Sequence, residues 1–297
     1  MDTRINHHND LSMSAPVLST YTDFRQYLND FYKYRKQQES GSLRGYSYSH
    51  FSAAADIKSP NYLKLIIEGK RNLSDDMIKK FAKALRLGKS EQDEFKALVK
   101  YGQATDPLLK NQFLKELSEI RAKKALMNGE IDRKTWETVP DWISWVIYAM
   151  LDQSNIDLDP ELLKRVFRSH VTTDQIKGSI QRLVKSGQIE ESDTGEYVKS
   201  RSMVDGQSAV PVELVRKLQA ELIYLGLESL YRDSPKEREF GAFTLALTQK
   251  EFEEIRFELR KVRKKFQKDI MMNRENTKGE KVYQLNIQLF PITEARG

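Results

Sequence analysis

The chain of 297 residues contains no cysteine. That removes disulfides, thiolate metal sites and a cysteine nucleophile together, and it fits a reducing compartment. Proline and glycine are scarce, with 8 and 14 residues. A sandwich of many short strands needs more of both at its turns, so a mostly helical protein is expected. The longest apolar run extends only from Trp142 to Leu151 and is broken by Ser144. A membrane-spanning helix needs about twenty apolar residues. The opening stretch, MDTRINHHNDLSMSAPVLST, has no apolar core of a secretory signal. A cytoplasmic protein without membrane contact is expected.

The signatures of common catalytic folds are also missing. There is no G-x-G-x-x-G, phosphate loop, G-x-S-x-G or H-E-x-x-H. Of the four histidines, His7 and His8 could bind a metal but are read as a solvated pair in the tail, and His50 and His170 are read as surface or capping residues rather than as a base or ligand. Adjacent acids such as Asp75 and Asp76 follow a helix-start serine, where the helix dipole accounts for them. No enzyme, cofactor or metal site is expected.

What is present is helical. Hydrophobic residues make up 39% and charged residues 31%, enough for the cores of two or three domains of roughly 100–200 residues each. Residues 1–20 read as a disordered tail. Phe24, Tyr27, Leu28 and Phe31 then recur at helical spacing. Ser47, Ser59, Ser74 and Ser90 open four further short helices, Ser59 with Pro60 at the first helical position. These five helices define an N-terminal domain over 21–104. A helical unit over 105–200 follows, its last part resembling a winged helix: helix, helix, a capped helix at Thr172 or Thr173, then a hairpin around Asp193-Thr194-Gly195. Lys199–Pro211 reads as a linker. A C-terminal α+β domain over 201–297 is expected to run strand (243–247), long helix from the capping box Thr248…Glu251, strand (282–290). Ser234-Pro235 reads as one more helix start. The fold class expected is therefore mainly α, with this small α+β unit at its end.

The net charge is +6, and its placement is informative. From Gly41 to Gly102 there are 12 Lys+Arg against 7 Asp+Glu. The stretch IKSPNYLKLIIEGKRNLS, from Ile57 to Ser74, lies inside this basic segment. A helix-turn-helix needs two short helices joined by a sharp turn, the second showing polar residues to DNA over a buried apolar face. Asp56, a residue type tolerant of left-handed φ, is expected at that turn. Leu63 and Ile66 would anchor a recognition helix over 59–68. Asn61, Tyr62 and Lys64 would approach bases, and Lys70 and Arg71 would grip phosphates. Ser47 and Ser59, opening the two helices, complete the expected contact set.

The segment FSAAADIKSPNYLKLIIEGKRNLSDDMIKKFAKALRL resembles the helix-turn-helix of the lambda-repressor/Cro-like family. Ile57, Ser59, Tyr62, Leu63, Ile66, Gly69, Lys70, Arg71 and Ser74 carry the resemblance, while Ser52 stands in place of an alanine and Asp56 in place of the turn glycine. The whole chain also resembles a bacterial family that joins this domain to a C-terminal part of unknown function, ending in a strand like VYQLNIQLFP, and whose members are called transcriptional regulators. The resemblance implies double-stranded DNA as partner.

The winged-helix-like unit is less basic. Asp159 to Lys199 holds 7 Lys+Arg and 7 Asp+Glu, which suits a protein partner better than phosphates. Lys177, Arg182 and Lys185 are its candidate secondary nucleic-acid contacts. The C-terminal strands would need a partner for their edges, which favours a homodimer. Two readings result: a dimeric, sequence-specific DNA-binding regulator, or a protein-interaction adaptor with a repurposed helix-turn-helix, motivated by the neutral middle unit and by Trp136, Trp142 and Trp145.

Overall fold

The computed structural model describes residues 14–41, 45–154, 156–193, 195–200, 210–272 and 278–294. Among these the fold is mainly helical, with twelve α-helices and one two-stranded sheet. His7, His8, Thr194 and most of the expected 199–211 linker lie outside the described residues. The chain divides into two compact units, Met1–Asn128 and Gly129–Gly297.

The first unit holds α1 (Phe24–Gln38), α2 (Tyr48–Ala54), α3 (Tyr62–Ile67), α4 (Asp75–Ala84), α5 (Lys89–Gln103) and α6 (Pro107–Met127). Its core is rich in aromatics: Phe24, Phe51, Phe81 and Phe95 are fully buried with Leu28 and Leu63. Side-chain caps set several boundaries, Asp23 accepting from the Arg25 amide, Ser47 from His50 and Ser74 from Met77. The serine expected to open α5 does not cap it. Gly88 is the N-cap, and Glu91 reaches back 2.9 Å to its amide.

Two expectations need correction here. Residues 18–20, placed in a disordered tail, form a 3-10 turn instead, and Leu18 is buried. The division expected at 104/105 would also separate α5 from α6, which share a buried ionic cluster. Arg121 donates to Glu94 at 2.9 Å, Lys124 donates to the same carboxylate at 3.0 Å, and Arg121 reaches the Tyr21 carbonyl at 2.7 Å. Glu94 has no exposed surface, so these partners are what makes its charge tolerable in the core.

The second unit begins with α7 (Arg133–Thr138), α8 (Trp142–Met150), α9 (Pro160–Val166) and α10 (Thr173–Lys185). Strands β1 (Ile189–Glu191) and β2 (Tyr197–Lys199) follow as an antiparallel hairpin with Ile189 opposite Lys199. The expected caps are in place: Asp159 accepts from two amides of α9, and Thr172 and Gln175 form a capping box on α10. Trp142, Ile147, Leu163, Ile176 and Leu183 make the core. Trp145 instead lies exposed, edge-on to Tyr148.

Two helices remain, α11 (Val212–Arg232) and α12 (Gln249–Met272). The Thr248–Glu251 capping box opens α12 as the sequence pattern requires. Ser234-Pro235 begins only a turn. Neither 243–247 nor 282–290 forms a strand among the described residues. A strand needs a neighbour to accept its ladder bonds, and within the described chain these segments have none. The strand–helix–strand expectation thus retains its helix and loses both strands.

Candidate nucleic-acid interface

Helix α2 ends at Ala54, and the turn after it passes through Asp56, whose φ is +51°. It has the left-handed conformation expected at this turn, and its carboxylate and carbonyl both accept from Lys80 on α4, at 3.4 and 3.0 Å. The Ile57 amide closes back on the Ser52 carbonyl at 2.8 Å. Ser52 has a purpose of its own. It is buried, and its hydroxyl donates to the Pro60 carbonyl at 3.3 Å, linking α2 to the approach of α3.

Helix α3 is shorter than the span of 59–68 expected for it. Ser59 accepts from the Tyr62 amide through its carbonyl at 3.3 Å and supplies no side-chain cap. The helix starts at Tyr62, with Asn61 as the flanking residue. Leu63 and Ile66 are fully buried, while Asn61 and Lys64 are exposed. The polar face therefore looks outward over an anchored apolar face.

Tyr62 is half-buried, edge-on to Phe81 with ring centres 6.1 Å apart. The Arg71 guanidinium lies 5.7 Å from the Tyr62 ring. Tyr62 thus serves to support Arg71 as much as to face outward. Ser47 is half-buried, caps α2 and shares a 2.8 Å hydrogen bond with Ser49.

After α3 the chain turns at Gly69, φ +74°, a conformation that costs other residues and glycine little. Two side chains that the sequence pattern did not single out hold this turn. Arg25 on α1 donates to the Ile66 carbonyl at 2.5 Å, the Arg71 carbonyl at 3.1 Å and the Asn72 side chain at 2.8 Å. Gln103 on α5 accepts from the Leu73 amide at 2.6 Å and donates to its carbonyl at 3.0 Å. Lys70 and Arg71 therefore project from a braced backbone.

One carboxylate sits among the cations. Glu68 pairs with Lys70 at 2.7 Å and Lys64 at 3.8 Å. The Lys70 hydrogen bond is the largest of the effects that hold the Glu68 carboxyl below the usual range. All three groups keep substantial exposure, so these pairs are readily exchanged for others.

The candidate secondary contacts are placed differently. Lys177 is exposed. Arg182 donates to Asp141 at 2.7 Å, and Asp141 also caps α8 and accepts from Ser179 at 3.0 Å. Lys185 donates to Glu137 at 2.9 Å, which with Arg133 holds that carboxyl below the usual range. Two of the three cations are thus engaged in holding α7 and α8 to α10 and do not make a free positive strip.

Among the described residues, no three His, Asp or Glu side chains converge as a metal site, and no helix is long and apolar enough to cross a membrane. No curated protein and no solved structure matches the chain. The family model described as Domain of unknown function (DUF4423) matches residues 122–292. That match begins within α6, takes in the described part of the second unit through Ile292, and leaves the α2–α3 region outside it. By this match over more than half of its length, the chain belongs to the DUF4423 family.

Proposed function

We propose that the protein is a sequence-specific DNA-binding transcriptional regulator of the cytoplasm, acting as a homodimer. Helix α3 enters the major groove, Asn61 and Lys64 face base edges, and Lys70 and Arg71 bind phosphates. The observation that carries this reading is the α2–α3 geometry: a left-handed Asp56 turn, buried Leu63 and Ile66, and exposed Asn61 and Lys64 beside two braced cations. An asparagine amide can pair with adenine through two hydrogen bonds, which fits Asn61 for direct readout. Two-fold symmetry in the protein would match a palindromic operator.

Selection of sites from a random duplex pool tests the readout. Wild-type protein should enrich one motif, and Asn61→Ala should lose about 1–3 kcal/mol of preference at one base position. Failure of the wild type to enrich any motif counts against the regulator.

The second reading is a protein-interaction adaptor. It draws support from Glu68 among the motif's cations and from the carboxylate pairs on Arg182 and Lys185. In either reading α8–α10 and the hairpin, arranged in the order of a winged helix, serve as a partner-docking or structural unit. Glu68→Gln separates the two. Under the regulator reading it releases Lys64 and Lys70 for phosphate and raises DNA affinity about three- to tenfold at low salt. Under the adaptor reading DNA affinity stays negligible.

A further inference from the structure

The C-terminal part of the second unit leaves an unusual amount of apolar surface uncovered. Phe243 is 81% exposed, Tyr283 72% and Phe257 60%. None of the described side chains of α12 is buried. Yet Phe252, Ile255, Leu259, Val262 and Phe266 recur at alternating spacings of three and four residues, the seam pattern of a helix made to pack along another helix. On either side of this helix, residues 240–247 and 281–293 make no backbone-to-backbone hydrogen bond among the described residues. Residues 283–289 alternate apolar and polar side chains as a strand does, and 243–247 is a short apolar run, both without a ladder partner.

The charge on α12 identifies the partner. Residues 250–259 carry four acids and two cations, whereas residues 260–272 carry six cations and one acid. Two copies of α12 packed head to tail bring each acidic half against the other's basic half. Two parallel copies would set like against like. A helix lying on an anionic membrane would instead carry cations along its whole polar face. No run of residues outside the described ones offers a matching apolar series.

We infer that α12 packs antiparallel on α12 of a second copy of this chain, along the seam from Phe252 to Phe266, in a two-fold interface that also supplies ladder partners to 240–247 and 281–293. The inference rests on the homodimer in the proposed function and names its interface. An isologous contact of this kind needs no other partner, since each copy provides both complementary halves.

Sedimentation velocity on the full chain without DNA, together with cysteine crosslinking, tests it. The native chain has no cysteine, so an introduced thiol reports without background. The wild type should sediment as a dimer, and Phe266→Glu should raise the dimer dissociation constant about 100-fold. Leu259→Cys, beside the midpoint of α12, should form a covalent dimer on mild oxidation, because only facing positions come within disulfide reach. Phe252→Cys, near one end, should not. The inference is overturned by a monomeric wild type (including one that binds anionic vesicles), by Phe266→Glu dimerising as well as the wild type, or by Phe252→Cys crosslinking as readily as Leu259→Cys. The sedimentation and crosslinking results stand even where Phe266→Glu fails to fold. Because no DNA is present, loss of this interface and loss of the regulator reading are separate outcomes.

Discussion

Residues 68–74, after α3, and residues 281–293, near the C-terminal end, both lack regular secondary structure. The first stretch is answered from within its own unit. Arg25 and Gln103 satisfy the carbonyls of Ile66, Arg71 and Leu73 and the Leu73 amide, and Leu73 itself is buried. The second has side-chain bonds such as Asn286 to the Leu222 carbonyl and Gln284 to the Leu285 carbonyl, and Val282 packs on the unit's core, but it makes no backbone-to-backbone hydrogen bond among the described residues and its other apolar side chains are exposed. A loop braced by side chains of its own unit presents a finished surface, ready for a ligand. A segment with unpaired backbone and bare apolar residues is a surface whose other half lies elsewhere.

The comparison can be broken at its strong end first. Glu94→Ala removes the carboxylate that Arg121 and Lys124 share and leaves a buried guanidinium without its charge partner. We expect about 3–5 kcal/mol of lost stability in the unfolding of the first unit by denaturant. A loss below about 1 kcal/mol would mean that the unit is less tightly determined than its geometry implies.

A smaller effect is expected at the brace. Arg25→Met preserves much of the side chain's bulk and deletes its hydrogen bonds to the loop. The cost should be about 1–2 kcal/mol. Amide hydrogen exchange should quicken at residues 69–73 while α4 stays protected. Unchanged exchange in that loop would show that Gln103 and Gly69 suffice.

The smallest effect belongs to the C-terminal segment. Phe243→Ser should change the unit's intrinsic stability by less than about 0.5 kcal/mol when unfolding is followed at concentrations too low for self-association. A larger loss would show that Phe243 is held within its own chain.

Local signals in the sequence were legible because their physics is local. The left-handed turn at Asp56 is one such signal. So are the caps at Ser74, Asp159, Thr172 and Thr248, each of which needs only residues three positions apart. Ser59-Pro60 carried an equally good start signal, but the chain uses Ser59 in a turn ahead of α3, with Ser52 holding the Pro60 carbonyl from across the motif. Arg25 and Gln103 could not be anticipated, since their partners lie tens of residues away and nothing in a polar side chain's own neighbourhood reveals such a contact. Glu68 was visible in principle, four residues beyond Lys64 on the same helix face. The apolar run at 243–247 and the alternation in 282–290 identified strand-like segments but not the chain that would pair with them.

In the proposed function the outer face of α3 and its two following cations bind DNA. The most direct measurement is the fluorescence polarisation of a labelled duplex across a salt series, for the wild type and for the Lys70→Ala/Arg71→Ala double variant. Salt-sensitive binding is expected, weakened for every sequence in the double variant, with the log–log salt slope flattened by about two. Wild-type binding that is absent, or a slope that the double variant leaves unchanged, would contradict it.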